Sequence, residues 1–239
     1  MAIRLRKTGP DWLRVLAPTA VNRPFTIGMW YKAVAGAVSV LTSVNDGTIG
    51  WEIYFNSTGP VVRAGYWTGS ATQGTASATT VADQWNFVVA RLITTASKRV
   101  ANLLPSGAIA HVQNTSTTTE PTTLVNVDIG GWEPYCDGDI AEWWLAGVDV
   151  QPDGLQLKDD LLRQLAYKGP FSVPYIAANV LQYRSFRRGL LEGPGDTYFH
   201  GTPLITTVMG APAMAEHPPI CGDYVKPPGL IGVPRMLLA

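Results

Sequence analysis

The stretch YCDGDIAEWWLAGVDV, Tyr135 to Val150, sets four acids and two adjacent tryptophans within sixteen residues. Carboxylates beside aromatic rings are the ingredients of a sugar-cleaving site, whereas an apolar run entered through a turn is a core strand. Geometry decides between them. A retaining glycosidase needs two carboxyl groups about 5 Å apart. Side chains on a regular strand alternate, so Asp139 and Glu142, three apart, fall on opposite faces. Asp137 and Asp139 share a parity but flank Gly138 in a turn-like run. The stretch therefore reads as the penultimate core strand. Trp143, with Ala141 and Leu145, is expected between the sheets. Trp144, with Ile140 and Glu142, is expected on the other face, covering the concave face, packed under the C-terminal arm or stacked on a sugar ring.

The rest of the chain has the same character. FTIGMWYKA (25–33) alternates, with Phe25, Ile27, Met29 and Tyr31 on one face and Thr26, Gly28, Trp30 and Lys32 on the other. VSVLTSV ends in the turn Asn45–Gly47, and GWEIYFN sets Trp51, Ile53 and Phe55 on one side. VVRAGYW, WNFVVARLI, KRVANLL, IAHVQN, TLVNVDIGG and NVLQYRSF continue the series. Their turn residues recur with the rhythm of a sandwich. The small, polar stretches 68–80 and 115–123 read as exposed loops and edge strands. One apolar stripe, Leu157, Leu161, Leu162 and Leu165, predicts a short helix over about 154–168, with Asp153 as N-cap, Lys168 at its C-terminus and Gly169–Pro170 as the stop. The fold class is an all-β sandwich with this one helix.

After residue 188 the composition changes: residues 189–239 hold eight prolines and eight glycines. We expect residues 1–188 to form the domain and residues 189–239 an extended arm. Its apolar anchors are Tyr198, Phe199, Tyr224, Pro227, Pro228 and Leu230.

Composition excludes several functions. Eighteen basic and eighteen acidic residues cancel, so no global field favours nucleic acid or an anionic membrane. No apolar run is long enough to span a bilayer, and the basic start lacks the apolar segment of a secretion signal. Cys136 and Cys221 read as free thiols. His111, His200 and His217 show no metal-ligand spacing, and no nucleotide or hydrolase motif occurs. Asp137 and Asp139 are the one calcium candidate, and no other cofactor is implied. The candidate sugar contacts are Trp67, Trp132 and Trp144.

The order of these elements resembles the laminin-G-like branch of the concanavalin A-like jelly rolls. FTIGMWYKA resembles the family's early FTI-x-x-W strand, and DQWNFVVARL its mid-domain Trp followed by an apolar run. YCDGDIAEWWLAGVDV followed by LQLKDDLLRQLAYKG is similar to the family's F-x-G-x-I-D-E-V-x-I-W, loop and helix. Gly138, Ile140 and Glu142 match there, while Trp143 replaces a valine and Ala141 replaces an aspartate. NVLQYRSF resembles the following L-x-A-Y-W-P-L strand. The likeness covers roughly residues 12 to 188.

Joined to a Pro-rich tail, that jelly roll resembles phage virion proteins. The resemblance implies a non-enzymatic virion protein, a capsid decoration or a tail or fibre appendage, made in the host cytoplasm. Its expected partners are other capsid or tail subunits and further copies of itself. The alternative is a carbohydrate-binding module for cell-surface glycan. A glycoside hydrolase comes last, for want of a same-face carboxylate pair.

Overall fold

The computed structural model describes residues 2–8, 11–16, 23–118, 124–131, 135–153, 155–184, 186, 206–209 and 213–219. Alternating apolar side chains build two antiparallel sheets that bury one face of each against the other. The first sheet runs β10 (Ile109–Asn114), β9 (Ser97–Leu103), β8 (Asn86–Thr94), β3 (Phe25–Ala33), β12 (Gly138–Ala146), β1 (Ala2–Leu5) and β15 (Ala213–Ala215). β13 (Val180–Arg184) also pairs with β12. The second runs β14 (Thr206–Met209), β2 (Trp12–Leu16), β11 (Asn126–Ile129), β4 (Val38–Asn45), β5 (Gly50–Asn56), β6 (Val61–Trp67) and β7 (Thr72–Thr79). Phe25, Ile27, Met29 and Tyr31 lie in the inter-sheet core with Trp51, Ile53 and Phe55, on the faces that their alternation predicts. β7, from the small, polar stretch at 68–80, is an edge strand.

The outer face of the first sheet carries a second apolar layer. Helices α1 (Asp159–Lys168) and α2 (Pro174–Ala177) lay Leu162, Leu165, Ala166 and Ile176 onto Trp30, Phe87, Ala141 and Trp144. Trp30 fixes the contact by donating its indole N–H to the Ala166 carbonyl at 2.9 Å. α1 starts later than its apolar stripe suggests, with Lys158 rather than Asp153 at the N-cap. Asp153 accepts instead from the Leu155 N–H at 3.0 Å and from the Gln151 amide at 2.9 Å. Arg91 reaches the carbonyls of Gln151 and Leu155, and this grip holds the segment outside the helix.

β12 departs from regular alternation at its centre. Its pairing with β3 steps from Ala141↔Trp30 to Trp144↔Gly28, so one extra residue is accommodated on β12. Glu142 takes that position at φ 48°, a bulge that reverses which side chains face the core. Ile140, Trp143 and Leu145 therefore share the inter-sheet core, while Ala141, Trp144 and Ala146 face the helices. Trp143 is in the core as expected, but Ile140, not Ala141, is its companion. Its indole N–H donates to Thr42 Oγ1 of the opposing sheet at 3.1 Å.

The described parts of the tail lie on the sandwich. β14 pairs with β2 and β15 with β1, so the tail adds an edge strand to each sheet. This differs from an arm that reaches only for neighbouring subunits. The anchors Tyr198, Phe199, Tyr224, Pro227, Pro228 and Leu230 lie outside the described residues.

Candidate functional site

Three of the four acids in the Tyr135–Val150 stretch are already engaged within the chain. Asp139 takes the Arg4 guanidinium through both carboxylate oxygens, one at 2.9 Å from Nη2. Asp149 takes Arg91 at 2.6 and 2.9 Å. Glu142, in the bulge, accepts from the Tyr183 hydroxyl and lies 3.2 Å from His217 Nε2. Tyr183 belongs to the layer under the helices, so Glu142 reaches the outer side of the sheet, the face expected for it, while the bulge moves Ile140 to the core and Ala141 outward. The parity argument fails at the bulge, yet the Glu142 carboxylate is occupied. Of the calcium candidates Asp137 and Asp139, Asp139 is ion-paired with Arg4, and among the described residues no group of three or more metal-ligating side chains is found. Cys136 is fully buried, and that burial pushes its thiol well above the usual range, which leaves it unreactive. Cys221 lies outside the described residues.

The three tryptophans proposed as sugar contacts part company. Trp144 is completely buried, because α1 and α2 cover its face of the sheet. It offers no surface to a sugar. Trp132 lies outside the described residues. Trp67 ends β6 on the outer face of the second sheet and is half-buried.

A polar row crosses that outer face through Arg14, Asp128, Ser43, Glu52 and Gly65. Arg14 grips Asp128 at 2.8 and 3.0 Å, and Asn45 donates to the same carboxylate at 2.9 Å. Glu52 is 7 % exposed and accepts from Thr72 Oγ1 at 2.6 Å. Gly65 makes that contact possible, since a Cβ there would lie 2.5 Å from the Thr72 methyl. Burial pushes the Glu52 carboxyl above the usual carboxylate range, with the Thr72 bond opposing it in part.

A raised folded-state pKa favours the neutral acid in the fold. The stability from this group is thus full below the unfolded-state pKa and is lost as pH rises through the folded-state value. Glu52→Gln should therefore be more stable than the wild type at neutral pH. Its advantage should vanish below about pH 4, the ordinary carboxylate pKa. Urea denaturation of both proteins across that range reads the difference.

The concavity with ligand chemistry lies elsewhere, beside the C-terminal end of α1. A cavity of about 300 Å³ is lined by Trp30, Lys32, Asp83, Trp85 and Tyr167, with Pro219 from the tail. Trp85 and Tyr167 are half-buried, so ring surface remains accessible. Tyr167 packs on Trp30 with ring centroids 5.9 Å apart, and Trp30 on Phe87 at 5.4 Å, which fixes the aromatic wall from behind. Lys32 of β3 and exposed Asp83 line the same cavity. The Asp83 carboxylate is oriented by the Ala35 N–H at 3.2 Å. Among the described residues, no acid lies in ion-pair contact with Lys32, although Asp139 is its cross-strand neighbour. Arg4 has taken Asp139, leaving the ammonium to the cavity.

Sequence reasoning missed this site. Trp85 reads as the first residue of the strand WNFVVARLI, and Tyr167 is not in the apolar stripe of the helix. Lys32 offered a signal as the one charged residue in FTIGMWYKA.

No protein-family model matches the chain, and no curated protein sequence matches it. Solved structures share its architecture. A Bacteroides ovatus protein described as a proposed carbohydrate-binding protein is 12 % identical and aligns at TM-score 0.52, over 89 % of this chain and 61 % of its own. The present chain thus spans less than two thirds of that protein. The carbohydrate-binding module 40 of a Ruminococcus gnavus sialidase aligns at 15 % identity and TM-score 0.49, over 68 % of this chain and 95 % of its own. A heptameric pentraxin of Limulus polyphemus aligns at 12 % identity and TM-score 0.47, over 88 % and 94 %. At such identities the likeness is one of fold, and the fold is a jelly-roll β-sandwich.

Proposed function

We propose that the protein is a non-catalytic carbohydrate-binding module whose sugar lies in the cavity between Trp85 and Tyr167. One observation carries this reading: two accessible aromatic rings share a cavity of about 300 Å³ with an ammonium and a carboxylate that have ligand-facing capacity to spare. Ligand sites are concavities of about 300–1,000 Å³, largely apolar, with a few polar groups that fix orientation. A pyranose suits such a lining. Its C–H face packs on an aromatic ring, while its hydroxyls donate to Asp83 and accept from Lys32. The description of the Bacteroides ovatus protein points the same way.

The virion reading rests on a resemblance and on arm anchors outside the described residues, and the described tail segments pair with their own chain. Carbohydrate recognition is therefore preferred. The test is a glycan array followed by calorimetry on the best ligand. Trp85→Ala should weaken binding by about tenfold or more, the range for removing a central aromatic contact, while Trp67→Ala leaves it unchanged. Loss of binding in Trp67→Ala alone would move the site to the second sheet, and no glycan bound by the wild type would sink the reading.

A further inference from the structure

The opposite end of α1 carries a second cavity, about 70 Å³, lined by Arg91, Arg99, His111, Gln113, Gln156 and Leu157 among others. Its floor is a cross-strand row in which Arg91 on β8 faces Arg99 on β9, and Arg99 faces Gln113 on β10. Like charges directly opposite on neighbouring strands repel, so such a pair calls for anions. Arg91 has one: it gives Nε and Nη2 to Asp149, a second Nη2 bond to Gln151 O and Nη1 to Leu155 O. Arg99 has none. Its Nε is buried without an acceptor, and among the described residues it makes no ion pair.

The nearby acids do not supply the missing partner. Asp149 is spent on Arg91, and Asp159 lies 2.7 Å from His111 Nε2. Asp153 acts on Arg99 only through space, with its carboxylate turned to Leu155 and Gln151. Burial and the Arg91 charge together hold the Arg99 guanidinium below its ordinary pKa. In a chain with only 15 % charged residues, a buried donor left without an acceptor is costly.

We propose that this cavity is a binding site for a small oxyanion, a phosphate or a carboxylate, held by the Arg99 guanidinium with Gln113 and Gln156 beside it. The guanidinium is the fork that takes two oxygens of such a group at once. A volume of about 70 Å³ exceeds the 10–15 Å³ that one water requires several times over, so a phosphate ion, or the carboxylate end of a larger anion, fits. The site stands whether or not the Trp85 cavity binds sugar.

The experiment titrates the full-length protein with inorganic phosphate and, separately, with glucuronate, at constant ionic strength balanced with chloride. The Arg99 Nε–H resonance is followed by NMR. Saturable movement of that resonance with either anion supports the proposal; phosphate alone identifies a tetrahedral anion, and glucuronate alone a carboxylate such as an acidic sugar presents. Arg99→Gln should weaken binding by about tenfold or more, the loss expected for charge-assisted hydrogen bonds, and Arg99→Lys by less. Arg63→Gln, whose guanidinium lies against Tyr54 instead, should leave it unchanged. Folding of each variant is checked by its thermal midpoint. Absence of saturable movement with both anions overturns the proposal, as does equal binding by wild type and Arg99→Gln.

Discussion

Arg91→Ala is expected to lower stability by about 3–5 kcal/mol, the range for removing one partner of a buried ion pair. Arg91 is 1 % exposed and Asp149 6 %. Truncation leaves the largely buried Asp149 carboxylate without its counter-charge, with the Gln151 N–H still donating to it at 3.1 Å. It also releases the Gln151 and Leu155 carbonyls, and with them the segment that leads into α1. The loss should exceed that of Asp149→Ala alone, because two backbone acceptors go with the arginine. In the double variant Arg91→Met with Asp149→Leu, no unpaired charge remains, so part of the loss should return. Equilibrium denaturation of the three variants measures the coupling. A loss under about 1 kcal/mol for Arg91→Ala would place the pair in solvent and contradict the account of how α1 is held.

Trp144→Ala is expected to cost about 3–5 kcal/mol, as for other buried tryptophans, without a direct effect on sugar contacts. The indole fills the space above Gly28, where a Cβ would stand 2.2 Å from its ring. Tryptophan and glycine are thus paired across β12 and β3, and the helices close over both. Gly28→Ala should destabilise through the same contact from the other side, by overpacking rather than by a void. Thermal midpoints of both variants, read beside glycan affinity at a temperature where each is folded, separate packing from recognition. Trp144→Ala with an unchanged midpoint and lost affinity would restore that residue to the role of a sugar platform.

Local pattern made much of the sandwich legible. Phe25–Ala33 and Gly50–Asn56 alternate strictly, and their inward faces are the ones that the alternation selects. The end of α1 was legible too, since Lys168 and Gly169 take the places their chemistry favours. What local pattern could not carry was long-range. Glu142 at φ 48° leaves no mark in the sequence, yet it changes the company of Trp143 and brings its carboxylate to Tyr183. Asp153 has the spacing of an N-cap, but Arg91, some sixty residues earlier, holds the segment in a turn outside the helix. Trp144 had the look of a binding residue because nothing near it in the chain says that α1 will cover it. Trp85, Tyr167 and Lys32 come from a loop, a helix and a strand that meet only in the folded molecule.

The central claim is that sugar meets Trp85 and not the tryptophans of the sequence pattern. The most direct measurement is the set of indole N–H resonances, followed by two-dimensional NMR while the best array ligand is titrated. The Trp85 resonance should move saturably, with Trp67 and Trp144 unmoved. Movement of Trp67 or Trp132 with Trp85 stationary would contradict the assignment and place the sugar elsewhere on the sandwich.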